Sequence, residues 1–334
     1  MSKRERVMAA LNHKQPDKIP YHINFTIPAR QKMVEYYRDD SFETKLGNCF
    51  TILGCEPKNA WIEKQNDIWA DQFGVMWDRK VDKDIGVVCN QVVTKENLAM
   101  HRFPDPHDPS RYSKYREIIA ANMDGFVIVN LGFSLFERAW TMHGMEPLLM
   151  AMITDKSFVH DLLDRIVEFN LAVIDHVCTY PIDAMMFGDD WGQQNGLIMG
   201  KKLWDEFIRP RIRIMYAKVR SHNKYVFNHS CGKVDELFPD LIDAGLHVFN
   251  PFQPEVMDVF RMKKQYGDSL CYYGGISTQQ TLPYGSVSKV KEEVKKLLDV
   301  VGNNGGYFAS PAHDIPGDAR PENIAAMIEV LQNQ

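Results

Sequence analysis

Cysteine is scarce in this chain, and its few copies are scattered. The sequence of 334 residues holds six cysteines, and no two of them form a C-x-x-C pair. Residues 2–6 are charged or polar, with no apolar secretory segment after them. These features argue against a secreted, disulfide-stapled scaffold, and we expect a cytoplasmic protein with reduced thiols.

Long apolar runs and an excess of basic charge are also missing. No stretch approaches the roughly 20 apolar residues that a membrane span requires. Lysine and arginine number 39 against 44 aspartates and glutamates, which gives a formal net charge of −5. We therefore expect neither a membrane nor a nucleic-acid partner. The hydrophobic fraction of 45% can fill one large core.

The glycine-rich loops that bind nucleotide phosphates are absent too. Neither G-x-G-x-x-G nor G-x-x-x-x-G-K-[ST] follows any predicted strand. A doubly wound open sheet would need such a loop at its switch point, so that architecture ranks second.

What the sequence does contain is a regular alternation of strand and helix patterns. Strands are predicted near 19–25, 126–130, 184–187, 225–228, 247–250, 270–273 and 307–310. Helical patterns cover about 3–12, 28–38, 41–53, three segments across 134–178, then 200–221, 233–244, 256–266, 288–301 and 321–332.

Residues 60–95 break this alternation, because they combine aromatics, turn signals and alternating apolar positions. We interpret them as a strand plus a hairpin excursion that includes the eighth barrel strand. About eight alternating units predict an α/β fold: one (β/α)₈ TIM barrel over residues 1–334, with N-terminal helical and hairpin additions.

Barrels of this kind place their active sites at the C-terminal ends of the strands. One such end reads Asn228-His229-Ser230-Cys231-Gly232. Residues two apart on an extended chain face the same way, so His229 and Cys231 can share one point. An imidazole nitrogen and a thiolate sulfur suit zinc, and a helix beginning at Lys233 would favour the thiolate.

A firmly held metal needs at least a third protein ligand. His313, just past the last predicted strand, is the best candidate. Asp189 or Asp190 could add a carboxylate, or solvent or substrate could fill the fourth position. The alternative is that the histidine only bonds a backbone carbonyl and the cysteine is a small buried residue.

The same strand ends carry a resemblance to a known family. The chain resembles the uroporphyrinogen decarboxylase superfamily over nearly its whole length. The resemblance rests on an opening Arg6–Leu11 and Pro16–Pro20, and on Phe187–Gly192, Asn228–Gly232, Asn250–Gln253, Tyr273–Ile276 and Ala312–Ile315 leading to Pro321–Asn323. It implies a (β/α)₈ barrel with a pocket at the strand C-terminal ends.

Two branches of that superfamily differ at positions that can be compared here. The decarboxylase branch carries several arginines after its first strand, whereas residues 24–30 hold only Arg30. The zinc-dependent methyltransferase branch carries H-x-C-G, as this chain does at His229 and Cys231. Its third zinc ligand near the C-terminus is often a cysteine. His313 stands at that position here, which gives a less thiolate-rich and more electrophilic site.

The resemblance to the methyltransferase branch implies a zinc ion and a corrinoid cofactor (cobalamin) carried by a partner protein. The implied reaction moves a methyl group from a methoxylated substrate to the Co(I) corrinoid, as in O-demethylation. Alternatives are transfer from methyl-corrinoid to a thiol or folate, decarboxylation, and a non-catalytic scaffold that binds a corrinoid protein.

Aromatic and polar residues at the strand ends suggest an aromatic methyl donor. Of the adjacent Asp189 and Asp190, one is expected to face the pocket as an acid, base or hydrogen-bond acceptor; the other reading is a helix cap or a salt bridge. Residues predicted to lie near the substrate are His22, Asn24, Phe25, Trp191, Gln253 and Tyr273. For His22 and the aromatics, the alternative is a packing role in the core.

Overall fold

Seven parallel strands form one curved sheet in the computed structural model, which describes residues 1–334. Each strand pairs with the next one along the chain, as expected for a barrel built from strand–helix units. The strands are Phe50–Gly54, Phe126–Leu131, Ala184–Gly188, Tyr225–His229, Val248–Phe252, Cys271–Ile276 and Tyr307–Pro311.

An irregular segment, residues 20–25, occupies the eighth strand position and closes the seven-stranded sheet into a barrel. Tyr21 is bridged in parallel to Ala309 of the last strand. On its other side, the carbonyl oxygen of Tyr21 accepts a hydrogen bond from the amide of Cys49 (3.0 Å). Pro20 has no amide hydrogen, so this segment cannot form an uninterrupted ladder. The predicted first strand therefore takes its place in the barrel wall, but only through isolated bridges and not as a regular β-strand.

Helices cover the outside of the barrel, and none is long and apolar enough to cross a membrane. Their bounds are Lys3–Leu11, Ile27–Tyr37, Tyr115–Ala121, Phe136–His143, Met145–Thr154, Lys156–Val177, Gly200–Leu203, Arg209–Ser221, Phe238–Ala244, Val259–Tyr266, Thr281–Tyr284, Val287–Lys296 and Pro321–Gln332. Short 3₁₀ turns lie at Phe42–Lys45, Pro109–Tyr112 and Asp235–Leu237, and π-helical turns lie at Trp204–Ile208 and Leu297–Val301.

Two predictions for the first hundred residues are wrong. The helix predicted over 41–53 is a 3₁₀ turn followed by the barrel strand Phe50–Gly54, which pairs with Phe126–Leu131. Phe50-Thr51-Ile52-Leu53 is rich in β-branched and aromatic residues, and burial between two neighbours overrides the helical spacing.

The barrel strand predicted inside residues 60–93 therefore does not lie there. That region instead forms a separate four-stranded antiparallel sheet of Ile62–Gln65, Ile68–Ala70, Met76–Asp78 and Val87–Val88. Short antiparallel strands joined by tight turns can pair locally without joining the barrel.

A cluster of aromatic rings fills the lower barrel interior. Phe227 is fully buried there, and its ring packs against the rings of three other phenylalanines. Its ring centroid is 6.0 Å from that of Phe50, 6.2 Å from Phe126 and 6.1 Å from Phe308. Because these rings come from four different strands, they hold the barrel together from inside.

Replacing Phe227 by alanine should lower the free energy of unfolding by about 3–5 kcal/mol, because a large cavity opens in a packed interior. Urea denaturation followed by circular dichroism measures this. Val81→Ala is the control, since Val81 is 96% exposed and its loss should cost almost nothing. A loss below about 1 kcal/mol for Phe227→Ala would contradict the packing argument.

Candidate metal centre at the barrel mouth

Three neighbouring strands place one residue each at the same level near the mouth of the barrel. In the parallel register, His229 lies beside Gly188 on one side and beside Asn250 on the other. The polar residues that follow Gly188 and His229 therefore emerge together at the mouth of the barrel. This register is what converts separate strand ends into one site.

His229, Cys231 and His313 converge at that mouth. Their ligand atoms all lie within 4.8 Å of one another, although His313 is 82 residues or more from the other two in sequence. Cys231 Sγ is 3.3 Å from His229 Nε2. Zinc bonds of about 2.0–2.3 Å in tetrahedral geometry separate two ligand atoms by roughly 3.5 Å, so the arrangement fits zinc.

Asn250 fixes which nitrogen of His229 is available to a metal. The Asn250 side-chain nitrogen donates to the carbonyl oxygen of Tyr273 (3.0 Å), which leaves its amide oxygen as an acceptor. That oxygen is 2.6 Å from His229 Nδ1, so Nδ1 carries the proton. The lone pair of His229 is therefore on Nε2, which faces Cys231. Metal-binding histidines are commonly oriented by such a partner.

The loop that carries Cys231 is fixed by two hydrogen bonds to its backbone and by a glycine at position 232. The amide of Cys231 donates to Asp190 Oδ1 (2.7 Å), and the amide of Gly232 donates to Gln253 Oε1 (2.7 Å). Gly232 has a φ of 86°, and a Cβ there would lie 2.3 Å from the carbonyl carbon of Gly192. Only glycine fits this position, which fixes the direction of the Cys231 thiol.

The prediction that a helix N-terminus holds Cys231 as a thiolate is wrong. The helix expected from Lys233 begins only at Phe238, after a 3₁₀ turn at Asp235–Leu237. Burial raises the pKa of the Cys231 thiol, and the nearby carboxylates of Asp190 and Glu137 raise it further. A thiolate here therefore needs a cation beside it, and the donor set suits a bound metal.

The second imidazole of the cluster, that of His313, favours its neutral form. The pKa of His313 is lowered by burial of its ring nitrogens and then by the neighbouring His229, although the residue keeps an exposed edge. The two rings meet edge to face, with centroids 5.5 Å apart. Neutral imidazole is the form that binds a metal.

A cavity of about 320 Å³, here called the main cavity, opens beside the cluster. Polar groups and a few apolar side chains share its wall. The lining residues are Asn24, Ile52, Ile85, Asn130, Gly132, Phe133, Glu137, Met186, Gly188, Asp190, His229, Asn250, Tyr273, Ser310, Pro311, His313 and Asp314.

The two adjacent aspartates point in different directions. Asp190 lines the main cavity, and its Oδ1 is 3.8 Å from His229 Nε2. Asp189 is buried away from the cavity and accepts hydrogen bonds from the amides of Leu135 (3.2 Å) and Glu137 (2.8 Å). Burial raises the pKa of Asp189 to about 6 against these hydrogen bonds. Asp189 thus caps the start of helix Phe136–His143.

Three of the residues predicted to contact substrate lie at or under the main cavity. Asn24 and Tyr273 line it, and Asn24 Oδ1 is 2.9 Å from His22 Nε2. His22 itself is buried below the cavity, where its ring centroid is 5.5 Å from Phe50 and 6.4 Å from Tyr273. Burial lowers the pKa of His22 to about 4, so it is a neutral ring in the barrel interior.

The other three lie outside the main cavity. Phe25 packs edge-on against Phe42 at 5.4 Å. Trp191 is fully buried and donates its indole hydrogen to Asp189 Oδ2 (2.6 Å), so it has a packing position. Gln253 lies outside the main cavity and lines a separate rim cavity together with Cys231 and His313.

Three residues that line this cavity, Asn130, Ser310 and Glu137, were not among the predicted site residues. Asn130 and Ser310 end strands, and the strand-end rule used for the other residues could have identified them. Glu137 gave no such signal, because it lies in the helix after a loop. Burial and the carboxylates of Asp190 and Asp189 raise the pKa of Glu137 well above its usual range.

Comparisons with known proteins agree with this architecture. The family model described as uroporphyrinogen decarboxylase (URO-D) matches residues 69–334. A methylcobamide:CoM methyltransferase MtaA from Methanosarcina barkeri is 25% identical, over 97% of this chain and 95% of its own length. A uroporphyrinogen decarboxylase from Wigglesworthia glossinidia brevipalpis is also 25% identical, over 52% of this chain and 47% of its own length.

A solved structure shares the fold along the whole chain. It is a methyltransferase from Methanosarcina mazei, superimposed with a TM-score of 0.75 at 16% identity. The superposition covers 100% of this chain and 99% of that one.

Replacing Asn250 by alanine should weaken zinc binding by about 10–100-fold, because His229 loses the acceptor that fixes its tautomer. Competition with a chelating dye measures the affinity. Asn24→Ala is the control, since Asn24 lines the same cavity without a bond to His229, Cys231 or His313. Equal zinc affinities for both variants and the wild type would refute the orienting role of Asn250.

Proposed function

Because the chain belongs to the uroporphyrinogen decarboxylase family, we propose that it is a zinc-dependent methyltransferase that works with the corrinoid of a partner protein. The observation that carries this proposal is the convergence of His229, Cys231 and His313 at the mouth of an open cavity. One thiol and two imidazoles are a donor set for zinc that leaves a position for substrate.

The direction we propose is removal of a methyl group from a methoxylated aromatic compound to a Co(I) corrinoid. Two imidazoles and a single thiolate leave a bound zinc ion with net positive charge, which suits a neutral ether oxygen as its ligand. The zinc ion would act as a Lewis acid that stabilises negative charge on the departing oxygen. Phe133 and Tyr273 supply aromatic wall for a substrate ring.

Two carboxyl groups of the protein have different roles: Asp190 positions Cys231, and Glu137 supplies a proton. Asp190 holds the amide of Cys231 and so positions the thiol. Glu137 faces the same cavity, and burial together with the carboxylates of Asp190 and Asp189 raises its pKa, which favours the protonated form of its carboxyl group. Cleavage of an aryl methyl ether leaves an oxygen that must gain a proton. We assign that proton to the Glu137 carboxyl group.

A thiol acceptor is the second candidate. The methylcobamide:CoM methyltransferases from Methanosarcina barkeri match nearly the whole chain, and their names specify a thiol coenzyme. Methylation of a thiol releases a proton, so it would need a base where ether cleavage needs an acid. Assays of both half-reactions, ether to corrinoid and methyl-corrinoid to thiol or folate, separate the two.

Replacing Cys231 by serine should remove bound zinc and lower methyl transfer by at least about 10³-fold, since a hydroxyl is a much poorer zinc ligand. Metal analysis and the absorbance change of the corrinoid measure the two effects. Cys89→Ser is the matched control, because Cys89 is an exposed free cysteine outside the cluster.

Full activity of Cys231→Ser without zinc would sink the proposal. Carbon dioxide release from uroporphyrinogen would favour the decarboxylase alternative instead. Binding of a corrinoid protein that survives the loss of both His229 and Cys231, with no transfer by the wild type, would favour a scaffold.

Replacing Glu137 by glutamine should lower kcat for ether cleavage on the order of a hundredfold, because the amide cannot deliver the proton. Zinc content should stay unchanged. Glu117→Gln, on an exposed helix surface, is the control. The effect should shrink for substrates whose leaving phenol has a low pKa, since such an oxygen needs no proton. A uniform loss across leaving groups would show that Glu137 has only a structural role.

A further inference from the structure

A second cavity, here called the side cavity, adjoins the main cavity and is lined by two buried arginines. Its volume is about 360 Å³. Arg111 is 4% exposed and Arg138 is 5% exposed. Nothing in the proposed metal chemistry uses either of them. Buried guanidinium groups are costly unless they are paired, so their partners need to be counted.

Arg111 has no carboxylate partner. Its Nε donates to the carbonyl oxygen of Asp105 (2.8 Å), and one terminal nitrogen donates to the carbonyl oxygen of Cys55 (3.0 Å). The other terminal nitrogen donates to the side-chain oxygen of Gln72. All three acceptors are neutral. The positive charge of Arg111 is therefore held in place but not balanced.

Arg138 shares the only ion pair at this cavity. One of its terminal nitrogens is 2.8 Å from Asp71 Oδ2. The other oxygen of Asp71 is occupied by the amides of Phe73 (2.8 Å) and Val75 (3.0 Å). Glu56 also lines the cavity, but it is exposed and accepts from the indole of Trp61 (3.0 Å). The buried part of the side cavity therefore has an excess of positive charge.

Aromatic rings flank the guanidinium groups. The Arg138 guanidinium lies 4.1 Å from the ring centroid of Phe73 and 5.4 Å from that of Phe133. The Arg111 guanidinium lies 5.4 Å from the ring centroid of Phe169. A planar aromatic anion matches both parts of such a wall.

The side cavity and the main cavity share part of their walls. Asn130, Gly132 and Phe133 line both of them. Gly132 contributes no side chain there, and a Cβ on Gly132 would meet nothing within 4 Å. The side-chain amide of Asn130 makes no hydrogen bond within the chain, so it is free to bind a ligand. The boundary is thus open at a glycine and lined by an unused amide.

The charges of the two cavities are opposite. Asp190 and Asp314 line the main cavity, whereas Arg111 and Arg138 line the side cavity. Glu137 and Arg138 are neighbours on one helix and face the two cavities in turn. An anionic substrate tail would be repelled by the first set and attracted by the second.

We infer that the side cavity binds the carboxylate of a methoxylated aromatic acid whose methoxy end lies in the main cavity. Arg111 and Arg138 would hold the carboxylate, and the ring would pass Gly132 beside Phe133. This inference rests on the proposed function for the methoxy end only. It narrows the substrate class from methoxylated aromatics to methoxylated aromatic acids.

The test measures binding, not turnover. Calorimetry compares benzoate with benzamide, its neutral counterpart of similar shape, on the zinc-loaded full chain. Benzoate should bind at least about tenfold more tightly, because charge-assisted hydrogen bonds to guanidinium exceed neutral ones. Arg111→Met should abolish that preference without loss of zinc. Arg213→Met is the matched control, because Arg213 is an exposed arginine paired with Asp243 on the surface.

A second variant avoids removing a buried charge. Gly54 lines only the side cavity, and a Cβ on Gly54 would meet nothing within 4 Å. Gly54→Leu should fill the side cavity and weaken benzoate binding by at least about tenfold, with zinc retained. Thermal melts show whether each variant is folded.

Three results would overturn the inference: equal binding of benzoate and benzamide, unchanged benzoate binding in both Arg111→Met and Gly54→Leu, or tighter binding of benzenesulfonate than of benzoate. Cys231→Ser separates this inference from the proposed function. Benzoate binding that persists when zinc is lost supports the side cavity independently, and it would stand even if demethylation were never observed.

Discussion

The parallel register of three strands is the constraint on which the site depends. Gly188, His229 and Asn250 lie side by side because strands Ala184–Gly188, Tyr225–His229 and Val248–Phe252 are hydrogen-bonded at that level. A shift of one residue in any of them would turn its side chains to the other face. The orientation of His229, the position of its hydrogen-bond partner Asn250 and the loop that carries Asp190 all follow from this register.

Closure of the barrel brings the third residue of the cluster, His313, next to His229 and Cys231. His313 reaches the cluster because the last strand, Tyr307–Pro311, is joined through residues 20–25 to the strand Phe50–Gly54. The closure also creates the enclosed space above the aromatic interior of Phe227 and its neighbours. Inward-facing residues along the strands form the floor of packed rings, and polar residues near the C-terminal ends of the strands form the mouth.

Electrostatics then decides which polar groups can do chemistry. Burial raises the pKa of Cys231, and the nearby carboxyl groups of Asp190 and Glu137 raise it further, so the bare thiol is a poor nucleophile. The same negative surroundings favour a bound cation, and the cation would in turn favour the thiolate. Helix Phe136–His143 contributes Glu137 to this acidic main cavity and the buried Arg138 to the adjoining side cavity. Negative charge in the main cavity and positive charge in the side cavity would orient a substrate that carries an anionic group at one end.

From the sequence alone came the alternation of strands and helices, the barrel class, and the approach of His229 and Cys231, because these depend on local periodicity and on residue spacing along one strand. Only the tertiary structure decided that the barrel strand predicted inside residues 60–93 is Phe50–Gly54, that Asp189 caps a helix while Asp190 faces the cavity, and that Trp191 packs away from it. It also revealed Glu137 and the arginine-lined side cavity. Those outcomes depend on which surfaces are buried against one another, and burial between segments far apart in the chain leaves no local pattern to read.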